Sequence, residues 1–343
     1  MKLIFKLTLW LALLALACVA ALFWWSYQPL SLSKTTVEVT LDRSSGKTVV
    51  QQVVEAGVQT PPALLQLWFR VSGDARKIKA GTYEFEQGTT PRSLLNKLVT
   101  GAQSLLSITF VEGWTFSQMR EALAKELLLK DLRLKPDTQG LSDAELMKKL
   151  GKPAVKPEGR FFPDTYTYAR GSSDLLVLKS AMQAMDKNLE AAWAMRQPDS
   201  PLKSKDELLI LASIIEKETG SKADRTLVGS VFNNRLKIGM PLQTDPTVIY
   251  GANVDASGQY VGNYDGNWLR AKASNNPWNT YQRAGLPATP IAMPGKAALL
   301  AAVQPAASTA LYFVAKGDDT GASHFSATLE EHNRAVNKYI RGK

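Results

Sequence analysis

The chain has 343 residues, of which 45% are apolar and 21% charged, and its formal net charge is +10. That length corresponds to roughly two domains of about 150 residues each, and the composition excludes a disordered or low-complexity polymer. The single cysteine, Cys18, excludes an intrachain disulfide, so each domain must stand on its own core.

Lys2 and Lys6 are the only charged residues before Lys34. After them runs LTLWLALLALACVAALFWW, residues 7–25, with no charge. A bilayer core needs about 20 helical residues, so this run predicts a transmembrane anchor behind a six-residue cytoplasmic tail, 1–6. The lysines precede the span, which places the N-terminus in the cytoplasm, and Trp24 and Trp25 fall at the outer interface. Two other readings of the run are a cleaved signal peptide, with a weak site in Ala17–Ala21, and a lipoprotein attached through Cys18. Without Lys2 and Lys6 the charge outside is +8, which favours anionic polymers or lipid heads there, not nucleic acid.

Residues 27–35 form a short polar linker. TTVEVTL, 35–41, alternates as a strand does, and a turn-like DRSSGK follows. Helical spacing occupies 48–57 and 61–72, the second opened by Pro61 and Pro62. AGTYEF, 80–85, reads as a strand. TTPRSLLNKLVTG, 89–101, reads as a helix with a Thr cap and a Gly stop. A strand at 103–113 and a capped helix at 115–130 complete an α+β region, 35–130. The prolines of 131–160 mark a joint between domains. Beyond it a mostly helical domain with short strands, 158–343, begins with the aromatic GRFFPDTYTY. It continues with helices at 172–196, 204–220 and 225–238, a turn-rich stretch from 240, a helix at 295–303, a strand at 311–316 and a terminal helix.

The chemistry concentrates in SKDELLILASIIEKETG, 204–220, where Ser204 and Glu207 make a capping box and Gly220 stops the helix. At about 100° per residue, with Glu218 at 0°, Leu211 falls near +20°, Ile214 near −40° and Ile215 near +60°. Glu218 therefore extends an apolar face, while Glu216, near 160°, lies with Leu209 and Ser213 on a more mixed one. An acid on an apolar face either reaches water or an arginine, or is held protonated by desolvation and can donate to a leaving oxygen. The sequence alone leaves both open. Thr244, Asp245, Tyr250, Asn276, Trp278, Asn279, Thr280 and Tyr281 interleave polar groups with aromatics, as a sugar site requires; ordinary turn chemistry gives the same pattern. Asp245 offers a second carboxylate or a turn cap. His324 and His332, the only histidines, make a poor metal pair, and no nucleophile elbow or phosphate loop is present.

The runs ASIIEKET (212–219), VFNNRL-IGM-LQTDPTVIYG (231–251), NTY (279–281), GLP (285–287), PG (294–295), YFVA (312–315) and HFS…EHN (324–333) resemble the endolytic murein transglycosylases of the MltG type, the YceG-like family. FFPDTY (161–166) and AGTYEF (80–85) fit as well. The resemblance implies that Glu218 is the catalytic acid/base and that 35–130 is a LysM-like region. It also implies cleavage of nascent peptidoglycan strands after N-acetylmuramic acid, leaving 1,6-anhydro ends and limiting strand length near the synthases. It implies no cofactor and no metal, and a single-pass inner-membrane location with the catalytic domain in the periplasm. Within the matching motifs, Glu158, Asn234, Thr244, Asp245, Tyr250, Asn279, Tyr281 and His324 are candidate substrate contacts, with Asp164 a turn cap or a further contact. The chain departs from the family pattern at Trp278, at Ala288-Thr289, and through 252–275, which matches nothing. The rival readings are a non-catalytic peptidoglycan-binding scaffold for synthases and a muramidase that uses water.

Overall fold

The computed structural model describes residues 2–41, 46–102, 105–128, 134–218, 221, 223–256, 258–318 and 321–342. Four sequence expectations fall partly outside these residues: the DRSSGK turn, the start of the 103–113 strand, the end of the 115–130 helix, and Gly220 as a helix stop. The chain is a mixed α+β protein in two compact units: residues 1–106 with 167–172, and residues 107–166 with 173–343. The proline-marked stretch 131–160 lies inside the second unit.

The first unit opens with α1 (Lys2–Ser26). It is long and apolar enough to cross a membrane, with a mean hydropathy of 2.4 over Lys6–Ser26. Then follow β1 (Ser31–Leu32), β2 (Thr36–Leu41), α2 (Gly46–Glu55), β3 (Val58–Gln59), α3 (Pro62–Val71), β4 (Gly81–Glu86) and α4 (Pro91–Thr100). β2 and β4 pair antiparallel with Val37 opposite Phe85 and Val39 opposite Tyr83. The alternation of β2 sends Val37, Val39 and Leu41 inward, as period two requires. Their face is closed by Val49, Val50 and Val53 of α2, Leu65 and Phe69 of α3, and Leu94 and Leu98 of α4. α4 is punctuated as its sequence predicts, with a Thr90 capping box and Gly101 at φ 75°. The last turn of α1 also enters this core: Leu22 is buried, and Phe23 meets Trp68 edge to face at 5.7 Å.

The chain passes between units within β5 (Leu105–Thr109), β7 (Thr165–Ala169) and β8 (Ser172–Ser173). The second unit contains α5 (Phe116–Leu128), β6 (Leu134–Lys135), α6 (Asp143–Lys149), α7 (Asp174–Ala194), α8 (Lys205–Glu218), α9 (Arg225–Lys237), α10 (Asp245–Ala252), α11 (Trp268–Ala273), α12 (Lys296–Val303), the β9 (Tyr312–Ala315)–β10 (Ser323–Ser326) hairpin and α13 (Leu329–Tyr339). Two helices stand where only turns were expected after residue 240. α10 begins at Thr-Asp-Pro, a proline-in-first-turn signal that the surrounding prolines obscured. Within the presumed joint, the Ser142–Glu145 capping box starts α6.

α8 is the centre of this unit, packed by α7, α9, α10 and α12. Leu208, Leu209, Leu211, Ala212, Ser213, Ile214 and Ile215 are all buried. The expected mixed face is therefore buried too, because neighbours cover the helix on every side. Ser213 is tolerated there: its hydroxyl donates to the Ile210 carbonyl at 2.7 Å and accepts from the Ile291 amide at 3.0 Å. α9 and α12 approach closely at Gly229, where an added Cβ would run into the Ala301 carbonyl oxygen. Replacing a mid-helix glycine with alanine ordinarily stabilises by about 0.5–1 kcal/mol. Here Gly229→Ala is expected to destabilise by about 1–3 kcal/mol through overpacking. A lower urea midpoint is the expected reading, and a higher one contradicts the contact.

Candidate active site

Glu216 and Glu218 sit two positions apart at the end of α8 and are received by different parts of the unit. Glu216 faces the start of α12, where its Oε2 accepts from the Gly295 amide at 2.8 Å and its Oε1 lies 3.4 Å from Arg225 Nη2. A carboxylate at a helix N-terminus satisfies an otherwise orphaned N–H and meets the positive end of the dipole. Glu216 thus fastens α12, with its side chain only 5% exposed.

Glu218 turns to the loop before α10. It accepts a hydrogen bond from the Thr244 hydroxyl. Burial pushes its carboxyl above its ordinary value, Thr244 opposes that rise, the Asp245 carboxylate adds to it, and the Arg235 guanidinium again opposes it. Thr244 is the N-cap residue of α10, yet its side chain makes no cap bond. Its amide donates to Thr280 Oγ1 at 3.1 Å, and Thr247 and Thr280 share a hydroxyl contact of 2.9 Å. Gln243, just before, holds φ at 47°, a conformation uncommon outside glycine. The loop is thereby clamped to 279–281 with the Thr244 hydroxyl aimed at Glu218.

Asp245 accepts from the Tyr281 hydroxyl at 2.6 Å. Burial and the carboxylates of Asp245 and Glu218 push the Tyr281 phenol up. Trp268 of α11 meets Tyr281 edge to face, the ring centroids 6.0 Å apart and the planes at 80°. Lys272 Nζ lies 4.2 Å from the Tyr281 ring centroid. Arg235 is buried and spends its donors on the carbonyls of Leu311 and Leu242, both at 2.7 Å. Glu218, Thr244, Asp245, Tyr281 and Arg235 therefore form one electrostatic group, bordered by Trp268 and Lys272.

The other sequence candidates are placed elsewhere. Asn279 is buried and its side-chain amide donates to the carbonyls of Ser274 and Lys272 at 2.6 and 2.9 Å, holding the loop after α11. Asn234 donates to the carbonyls of Ser308 and Ala310 at 2.8 and 3.0 Å, tying α9 to the segment before β9. His324 lies on β10 against Tyr339 at 5.6 Å. Asn276 accepts from the Trp278 amide at 2.9 Å, and Asp164 accepts from the Thr165 amide at 2.7 Å. Glu158 is buried; it accepts from the Phe116 amide and the Tyr250 hydroxyl, each at 3.0 Å, so it bridges α5 and α10. Burial pushes its carboxyl up to about 8. Sequence reasoning missed Arg235, Trp268 and Lys272. Arg235 was readable only as a cationic helix residue, and the other two fall in the stretch 252–275 that resembled nothing.

The sequence model of the YceG-like family matches residues 37–338. The chain belongs to the YceG-like family. An endolytic murein transglycosylase of Bacillus subtilis (strain 168) is 31% identical over 329 residues, which cover 91% of this chain and 87% of that protein. An endolytic murein transglycosylase of Streptococcus pneumoniae (serotype 2, strain D39) is 26% identical over 91% of this chain, but the match covers only 60% of the pneumococcal protein. The crystal structure of a yceG-like protein from Listeria monocytogenes superposes with a TM-score of 0.51 at 28% identity, covering 88% of this chain and 99% of that one. In this YceG-like chain Trp278 and Thr289, both expected to depart from the family pattern, touch each other: Trp278 Nε1 donates to Thr289 Oγ1 at 2.8 Å.

The Thr244 hydroxyl opposes the burial of a charged Glu218. Thr244→Val removes that donor at nearly constant shape, so the Glu218 titration is expected to move to higher pH. A carboxyl-carbon NMR titration reads the shift; an unmoved titration sinks the assigned hydrogen bond.

Proposed function

We propose that this chain is a lytic transglycosylase that cleaves murein glycan strands internally, with Glu218 as its acid/base. The observation that carries the reading is a desolvated carboxyl at the end of a buried helix, hydrogen-bonded by the Thr244 hydroxyl and coupled through its charge to Tyr281, whose ring meets Trp268. Family membership supports the substrate class, since the relatives from B. subtilis and S. pneumoniae bear the name endolytic murein transglycosylase.

The chemistry follows from a raised carboxyl. Glu218, protonated, donates to the glycosidic oxygen as the C–O bond breaks. The substrate's own N-acetyl group stabilises the oxocarbenium-like centre. The carboxylate then takes the proton from the sugar's C6 hydroxyl, whose oxygen closes on C1 and leaves a 1,6-anhydro end. Thr244 holds the carboxyl in place throughout. Trp268 and Tyr281 offer flat faces for sugar rings.

The muramidase reading draws support from Asp245, a second carboxylate whose charge acts on Glu218. Its bond from Tyr281 favours a role in tuning Glu218 over the activation of water. In this reading α1 is the single-pass anchor, the lysines keep its N-terminus in the cytoplasm, and everything after α1 lies outside the inner membrane. The part of the first unit after α1, built of β1–β4 and α2–α4, is read as LysM-like, a glycan-holding module, and synthases are its neighbours.

Glu218→Gln is expected to keep the fold and lower strand cleavage by at least about 10³-fold. Mass spectrometry of the digested strands separates the readings: anhydro ends for a transglycosylase, reducing ends for a muramidase, no new ends for a scaffold. The acid must be protonated to act, so the rate falls as pH rises through the raised Glu218 value. Asp245→Asn removes a charge that raises that value, and the alkaline limb of the pH–rate profile is expected to move to lower pH. A limb that stays put or moves up overturns the tuning role.

A further inference from the structure

The second unit holds a cavity of about 510 Å³ whose wall does not include Glu218. Phe116, Tyr250 and Tyr260 supply its aromatic surface, and Arg120, Asp143 and Lys156 its charges. The size lies within the range of small-ligand pockets. Arg120, on α5, donates through Nη2 to the carbonyls of Thr138 and Leu141 at 3.3 and 3.2 Å. Its Nη1 is buried and has no hydrogen-bond partner among the described residues. A buried guanidinium nitrogen without an acceptor is costly, and an incoming carboxylate would relieve it in the geometry that guanidinium groups favour. Lys156 is exposed at the cavity wall, its ammonium 5.9 Å from the Trp278 ring centroid.

Glu158 touches the same cavity. Burial pushes its carboxyl up to about 8 and pushes the Asp143 carboxyl up as well, against the charge of the Arg120 guanidinium, so the wall sets two cations against carboxyls that burial biases toward the neutral form. Tyr250 binds this region to the Glu218 site. It stands five residues beyond Asp245 on α10, about 7.5 Å along the helix axis. One short rigid helix thus has one end at the reacting carboxyl and the other in the cavity wall.

We propose that this cavity receives a short zwitterionic peptide, the arm borne by the murein sugar, with its carboxylate taken by Arg120 and Lys156 and its ammonium by Asp143. The assignment of the peptide as the murein arm rests on the proposed function; the charge pattern that selects such a peptide does not. The cavity makes cleavage depend on what the sugar carries as well as on the glycan itself.

The test titrates peptide arms, released from strands by an amidase, against the full chain in detergent. Saturable binding is expected, weakened about tenfold in Lys156→Glu through loss of one charge-assisted contact. It is expected to survive in Glu218→Gln. Lys156 is exposed, so its variant keeps the fold. Absence of saturable binding, equal affinity in Lys156→Glu, or full displacement by inorganic phosphate at the same concentration overturns the pocket. Strand cleavage is the second readout: wild type is expected to favour peptide-bearing over peptide-stripped strands, and Lys156→Glu to cut that ratio about tenfold. Equal ratios in both proteins overturn the pocket's part in the reaction. Failure of wild type to cleave either strand sinks the proposed function instead, and the binding result then stands by itself.

Discussion

A carboxylate cannot enter a protein interior unless something there receives it. α8 is buried along its whole apolar length and ends in two acids, and the organisation of the second unit follows from how each is met. Glu216 is met by an N–H and a guanidinium, and becomes a rivet between α8 and α12. Glu218 is met by one hydroxyl, with a second carboxylate close enough to oppose its ionisation. Burial pushes both carboxyls above their ordinary value; at Glu216 the Gly295 amide and the Arg225 guanidinium oppose that rise, whereas at Glu218 the Asp245 carboxylate adds to it, and the separation of i and i+2 around the helix keeps the two acids apart. The loop that positions Thr244 and the left-handed backbone at Gln243 serve the second of these environments.

Much of this was readable beforehand because it depended on local rules. The strand alternation of 36–41, the Thr90 cap and Gly101 stop, and the angular position of Glu218 follow from period and punctuation alone. What escaped depended on tertiary contact. Asn234 and Asn279 read as sugar contacts, since a side-chain amide serves a ligand or the backbone equally well. The fold uses both to bind carbonyls that no strand or helix could satisfy. Glu158 lay in a motif that favoured a ligand contact, yet its oxygens go to an amide and a phenol of its own unit. The face of α8 that looked mixed is buried because α12 covers it, which no helical wheel records. The short helices α6 and α10 were lost among prolines that begin a helix as readily as they end one.

The stretch 252–275, unplaced by its motifs, lies inside the residues that the family model matches and supplies the groups that border Tyr281. Trp268 and Lys272 come from the unplaced stretch 252–275, and so does Tyr260 of the cavity. Trp278 and Thr289, separate departures in the sequence, are partners in space. The indole at one position donates to the hydroxyl at the other, so the two positions act as one contact.

Leu22 belongs at once to the apolar helix α1 and to the core of the first unit, and Phe23 beside it packs its ring against Trp68 of that core. No flexible tether separates the two, since the final turn of the helix is also a structural part of the domain. The unit therefore moves with its helix, tilting when the helix tilts and rotating when it rotates. A soluble version cut after Ser26 would leave the edge of Trp68 without the ring that covers it. The natural boundary for such a version lies inside the apolar run, ahead of Leu22.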